Sequence, residues 1–156
     1  MPITGTLAAV ALDGITDPQN FGAAIRSAVA LGSGEVIWAE HRSAPLSPTT
    51  FRASAGAIEH ARLYRVASLR GSLVELTARG AVTVALDAQA PEPLQAIDLQ
   101  RPLVLVAGSE DAGVSRGVRR CCSHQARLPM HGSLDSLNAS VAVAVALYEA
   151  GRQRGA

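Results

Sequence analysis

Leu12-Asp-Gly-Ile-Thr-Asp-Pro-Gln-Asn-Phe-Gly22 turns a strand into a helix, and that turn decides the fold class. Before it, residues 7–12 form a continuous apolar run, the pattern of a strand buried on both faces of a parallel sheet. After it, Asp17 precedes Pro18, an N-cap followed by the residue favoured at the first helical position. Phe21, Ile25, Ala28 and Leu31 then share one helical face, and Gly32 stops the helix. Arg26 lies about 140° around from Phe21, taking roughly 100° per residue, so it points away from that stripe.

Outward from this unit the same succession repeats. Strands are expected at 35–39, 63–66, 82–86, 103–107 and 126–128. Helices are expected at 47–56, opened by Ser47-Pro48 and ended by Gly56, and at 68–79, 114–124 and 138–154. A proline-containing loop fills 87–102. Alternating strands and helices predict an α/β fold, a mostly parallel sheet flanked by helices. The last helix is apolar nearly all round from 139 to 147, so it is buried on more than one side, and a dimer interface is one way to achieve that.

Two more loops share the character of the first: Val106-Ala-Gly-Ser-Glu-Asp-Ala-Gly-Val-Ser115 and Leu128-Pro-Met-His-Gly-Ser-Leu-Asp-Ser-Leu-Asn138. Each is small and polar and lies between an apolar strand and a helix. Such loops gather at the rim of an α/β sheet, where backbone groups can hold a ligand. Three of them imply a converging site, and an enzyme rather than a plain binding domain.

Composition narrows the class. The 156 residues suit one domain with a full core, and 48% hydrophobic against 17% charged residues excludes disorder. The longest apolar run, 141–147, is far short of a membrane span, and the N-terminus lacks a basic-then-apolar signal pattern, so a cytoplasmic protein without membrane association is expected. Cys121 and Cys122 are adjacent and are read as reduced helix residues. Net charge is only +1, but all 14 basic residues are arginine. A chain without lysine is neither a P-loop NTPase nor a Schiff-base enzyme. Arginine-only usage is explained first by a GC-rich genome, although the planar guanidinium also suits phosphate recognition, and Arg116, Arg119 and Arg120 cluster just after the second loop. His41, His60, His124 and His131 are scattered without metal-ligand spacing, and no metal is expected. Gly32-Ser-Gly34 has no third glycine and follows a helix, so it is not a dinucleotide fingerprint, and no Gly-x-Ser-x-Gly elbow occurs.

Together the three loops, with Arg26 after the first, Tyr148-Glu149 after the third and Ser54-Ala-Gly-Ala57 between, resemble the catalytic domain of the SPOUT superfamily. The resemblance is to its SpoU (TrmH-like) branch of S-adenosylmethionine-dependent RNA ribose 2′-O-methyltransferases, nearest to those acting on guanosine in ribosomal RNA. It covers nearly the whole chain, read as a single catalytic domain over residues 1–156; many relatives carry a further N-terminal RNA-binding domain, so the chain is either a minimal enzyme or a piece of a longer protein. It implies a C-terminal deep trefoil knot, a homodimer with active sites at the subunit interface, and RNA as partner, ribosomal first and transfer RNA second. No rule of periodicity points to a knot, and general topology argues against one.

By motif position the resemblance assigns cofactor contacts to Gly108, Leu128 and Leu137, with Leu86, Met130 and Ser133 as neighbours. From the residues alone Leu128 and Leu137 read as ordinary core residues, and it is the resemblance that turns them into cofactor contacts. Arg26 is the leading catalytic residue, contacting RNA phosphate and assisting deprotonation of the 2′-hydroxyl. A guanidinium is a poor base at neutral pH, so stabilising the developing alkoxide is an equal alternative. Asn20, Glu110, Ser136 and Asn138 complete the catalytic set, Asn20 with a turn or cap role and Ser136 and Asn138 with N-cap roles as alternatives. Arg116, Arg119 and Arg120 are expected to hold RNA. Asp111-Ala112 departs from the family's more usual glycine and polar residue. A binding module without turnover, or methylation of a base nitrogen, are the competing readings.

Overall fold

The computed structural model describes every residue except Arg42 and Pro45. Among the described residues, six strands form one sheet: β1 (Ala8–Asp13), β2 (Glu35–Ala39), β3 (Arg62–Val66), β4 (Val82–Leu86), β5 (Leu103–Gly108) and β6 (His124–Ala126). Their order across the sheet is β3-β2-β1-β5-β4-β6, and every pairing is parallel. The α-helices that join or follow them are α1 (Pro18–Leu31), α2 (Pro48–Ala53), α3 (Leu69–Ala78), α4 (Arg116–Cys121) and α5 (Ala139–Gln153). The α/β class and the parallel sheet expected from the sequence are those observed.

Alternation along the central strands divides the core into two layers. Ala8, Val10 and Leu12 face Phe21 and Ile25 of α1 and Val143 and Leu147 of α5. Ala9 and Ala11 face Leu73 and Leu76 of α3 and Val118 of α4. Each large apolar side chain so buried contributes about 1.5–3 kcal/mol. Close approach also needs small residues. A Cβ on Gly32 would lie 2.5 Å from the Ala8 carbonyl oxygen, and one on Gly22 would lie 2.5 Å from that of Thr50. Phe21 meets Trp38 edge to face, with ring centroids 5.2 Å apart.

Helix starts follow the local signals. The Asp17 carboxylate accepts from the Gln19 N–H at 3.0 Å, and the Ser68 hydroxyl accepts from the Gly71 N–H at 3.0 Å. Four expectations shift. The helix expected at 114–124 is only Arg116–Cys121, and the strand expected at 126–128 lies at His124–Ala126. Ser123 explains both shifts: its N–H donates to Thr83 Oγ1 at 2.9 Å, which pulls the chain out of the helix and alongside β4. Gly56 does not end α2, which stops at Ala53; with φ +82° it opens a short 3₁₀ turn over Ala57–His60. Leu31 is exposed at 41% rather than sharing the buried face. The 87–102 loop carries part of the core, because Leu94, Ile97 and Leu99 are buried there.

Arg154 fastens the end of α5 to the edge of the sheet. Its guanidinium donates to the carbonyls of Leu99 (2.9 Å), Thr6 (3.0 Å), Leu7 (2.8 Å) and Arg101 (2.8 Å). At the same amino end of the sheet, Glu35 of β2 is 3% exposed and accepts from Arg62 Nε of β3 at 2.8 Å. No helix among the described residues is long and apolar enough to cross a membrane.

Two outcomes are expected. Arg154→Ala lowers the free energy of unfolding by about 2 kcal/mol, because charge-assisted bonds to otherwise capped carbonyls are lost; a urea titration reads this as a lower midpoint with an unchanged slope. Burial pushes the Cys122 thiol up to about 12, so its thiolate is scarce at pH 8. Alkylation there is expected to be at least about a hundredfold slower in the native protein than in urea, measured by mass spectrometry.

Candidate active site

In a parallel sheet the loops leaving the strands' carboxyl ends share one edge, and strand register decides which loops touch. Asp13 pairs with Gly108, so the loop after β1 and the loop after β5 begin side by side. Leu86 pairs with Ala126, which brings the loop after β4 beside the segment leaving β6. Further bonds continue this contact: the Asp87 N–H donates to the Ala126 carbonyl and the Leu94 N–H to that of Arg127, both at 2.9 Å.

The loop after β5 is folded tightly on itself. The Gly113 N–H donates to the Ser109 carbonyl at 2.8 Å, and the Ala112 N–H to the Ser109 hydroxyl at 3.2 Å. A Cβ on Gly108 would sit 2.0 Å from the Gly113 carbonyl carbon and 2.2 Å from the Val114 nitrogen, so only glycine fits there. Asp13, 9% exposed, accepts from the Ser115 N–H at 2.7 Å and ties this loop's far end to β1. Asp13 was not singled out in the sequence. Its signal is an acid at the carboxyl end of a wholly buried strand, where it needs a donor.

Asn138 joins all three loops. As N-cap of α5, its Oδ1 accepts from the Ser140 N–H at 2.9 Å and the Ser140 hydroxyl at 2.6 Å. The cap turns its amide nitrogen outward, where it donates to Asn20 Oδ1 at 2.9 Å and to Glu110 Oε1. Asn20, Glu110 and Asn138, which lie 118 and 28 residues apart in sequence from one another, are therefore one hydrogen-bonded set. The capping alternative for Asn138 holds at the same time, because its oxygen and nitrogen do different work.

Beneath this set lies a cavity of about 310 Å³. Leu86, Leu128, Met130 and Leu137 supply apolar wall, Gly108 supplies backbone, and Ser136 and Glu110 stand among its polar groups. Ser133 is exposed and does not line it. Asp111 and Ala112 do, so the departure from the family pattern falls at the cavity itself. Arg119 also lines it, while Arg116 and Arg120 are exposed on α4. Asp87 and Ala142, not marked in the sequence, also line the wall; Asp87 is the first residue after β4, and Glu110 the second after β5. Arg26 stands apart: it is exposed on α1 and is not among the residues lining the cavity. A wider hollow of about 540 Å³ lies beyond β2 and β3, between Trp38, Glu40, Leu63 and Arg65. It gathers none of the loop residues, so the smaller cavity is the candidate site.

The arrangement can hold a ligand with an apolar ring and a polar tail, enclosed by glycine-lined backbone and faced by carboxylates. The profile of the SpoU rRNA methylase family matches residues 8–148. A 23S rRNA (guanosine-2′-O-)-methyltransferase of Pseudomonas aeruginosa, RlmB, is 44% identical over 145 residues, which is 93% of this chain and 58% of that protein. An uncharacterized tRNA/rRNA methyltransferase of Mycobacterium avium is 43% identical over 145 residues, 47% of its length. The chain thus spans about half the length of these curated relatives. Among solved structures, the SpoU methyltransferase AviRb of Streptomyces viridochromogenes, in complex with AdoMet, superposes with a TM-score of 0.90 at 34% identity, over 98% of this chain and 62% of that one. A profile covering nearly the whole chain, and a shared fold at 34% identity, mean that this chain belongs to the SpoU rRNA methylase family.

Proposed function

We propose that this chain transfers a methyl group from S-adenosylmethionine to a ribose 2′-hydroxyl of structured RNA, ribosomal RNA first and transfer RNA second. The observation that carries this reading is the cavity closed by three loops that Asn138 locks together. The cavity fits the cofactor. Leu86, Leu128, Met130 and Leu137 offer an apolar slot for a purine, and the space a Cβ would fill at Gly108 is taken by the chain's own backbone. When bound, the cofactor supplies an electrophilic methyl group on a sulfonium.

The chain's own residues then have distinct tasks. Asn138 and Asn20 hold the first and third loops at a fixed separation, and Glu110 anchors the second. Ser136 faces the cavity and is placed to position the ribose. Arg26 contacts the RNA phosphate and stabilises the alkoxide as the 2′-hydroxyl passes its proton to solvent water; such stabilisation and alignment supply most of the acceleration. Because Arg26 does not line its own chain's cavity, this reading has it act across a homodimer interface. Support for a dimer comes from α5, where Val141, Val145 and Tyr148 share one helical stripe and are exposed, as are Leu134 and Leu137 in the segment before the helix. The trefoil knot belongs to the same proposal. Its support is the bonding of segment 126–127 to residues on both sides of the 87–94 loop. A catalytic domain over residues 1–156 working in the cytoplasm, with Arg116 and Arg120 on the RNA side, completes the reading.

The direct test is incubation with labelled cofactor and total RNA, followed by mapping of alkali-resistant linkages; no incorporation into either RNA class refutes turnover. Arg26→Ala is expected to lower transfer by at least about a hundredfold while cofactor affinity and dimer mass stay unchanged. Gly108→Ala is expected to weaken cofactor binding more than tenfold by calorimetry, since the added methyl displaces the second loop.

A further inference from the structure

Charge around the cavity is uneven. Asp87, Glu110 and Asp111 line it, and Arg119 is the one basic side chain among the described lining residues. Arg119 is firmly placed through its backbone: its N–H donates to the Ser115 carbonyl at 2.8 Å, and its carbonyl accepts from the Cys122 N–H at 3.3 Å. Its head group is loosely held. Nη1 lies 3.7 Å from Asp87 Oδ2, an ion-pair separation too long for a direct hydrogen bond. Asp87 is itself set by the Gln89 N–H, which donates to Oδ1 at 2.9 Å. With side-chain exposures of 36% for Arg119 and 20% for Asp87, the pair stands at the cavity wall and not in open solvent.

This inventory mirrors that of the cofactor assigned above, on which the inference rests. S-adenosylmethionine carries two cationic centres, the sulfonium and the ammonium, and one carboxylate. Three acidic groups and one guanidinium are the complementary set. A guanidinium also meets a carboxylate as a planar fork, which makes it the fitting receptor. We propose that Arg119 binds the α-carboxylate of the cofactor rather than an RNA phosphate, the role its place in the Arg116, Arg119, Arg120 cluster had implied. Asp87 keeps the guanidinium turned toward the cavity until the ligand carboxylate takes its forked hydrogen bonds. Arg116 and Arg120, exposed on the same short helix, remain free for phosphate.

The test compares S-adenosylmethionine with its decarboxylated analogue, which keeps sulfonium, ammonium, ribose and adenine. Calorimetry on the wild-type chain is expected to show the analogue binding at least about tenfold more weakly, and Arg119→Ala is expected to bring the two ligands within about twofold of each other. RNA affinity without cofactor is expected to change less than about twofold in that variant. Equal affinity of the wild-type chain for both ligands overturns the assignment whether or not the variant folds. A variant that still prefers the carboxylate, or one that loses RNA affinity while keeping the preference, overturns it too. If the wild-type chain binds neither ligand, the cofactor reading itself fails, which is a separate and visible result.

Discussion

Pairing of β1 with β5 in parallel register is the constraint on which the rest of this molecule depends. Both strands are buried on both faces, so their backbone groups must satisfy one another within the sheet. The register sets Asp13 opposite Gly108, and two loops far apart in sequence then leave the sheet from adjacent points. Asp13 reinforces the arrangement by accepting from Ser115. A slip of one residue would turn every side chain of β1 to the wrong face and separate the loops.

On that base, small polar contacts shape the site. One asparagine, Asn138, caps a helix with its oxygen and links Asn20 to Glu110 with its nitrogen. Local helix formation and long-range loop closure thus share one side chain, and changing it disturbs both. The apolar slot below is made of ordinary leucines and a methionine, whose usefulness comes from being left partly uncovered at a sheet edge. Acidic groups outnumber basic ones around it, which suits a ligand with more positive than negative centres.

Much of this was legible beforehand, and the reasons are local. The Asp17-Pro18 cap, the uninterrupted apolar strands and the Ser68 cap mark their elements because backbone and neighbouring side chains alone determine them. The segment 114–128 misled because its helix is cut short by a distant partner, Thr83, which captures Ser123. Leu31 misled because periodicity reports a face without reporting how far the packing partner extends. Of the residues carried over by family resemblance, Leu86, Gly108, Leu128, Met130 and Leu137 meet at one cavity, whereas Ser133 and Arg26 do not reach it.

The amino-acid sequence by itself determined the alternation of strands and helices, the α/β class, the three small polar loops and the inventory of arginines and carboxylates available for chemistry. Tertiary structure alone decided which of those groups meet. Asp13 beside Ser115, Asn138 between Asn20 and Glu110, and Arg119 at the cavity wall are contacts set by strand register and loop closure. The physical reason is that caps and periodicity act over a few residues. Contacts across some hundred residues exist only once the buried sheet has fixed its order, when loop entropy is repaid by packing.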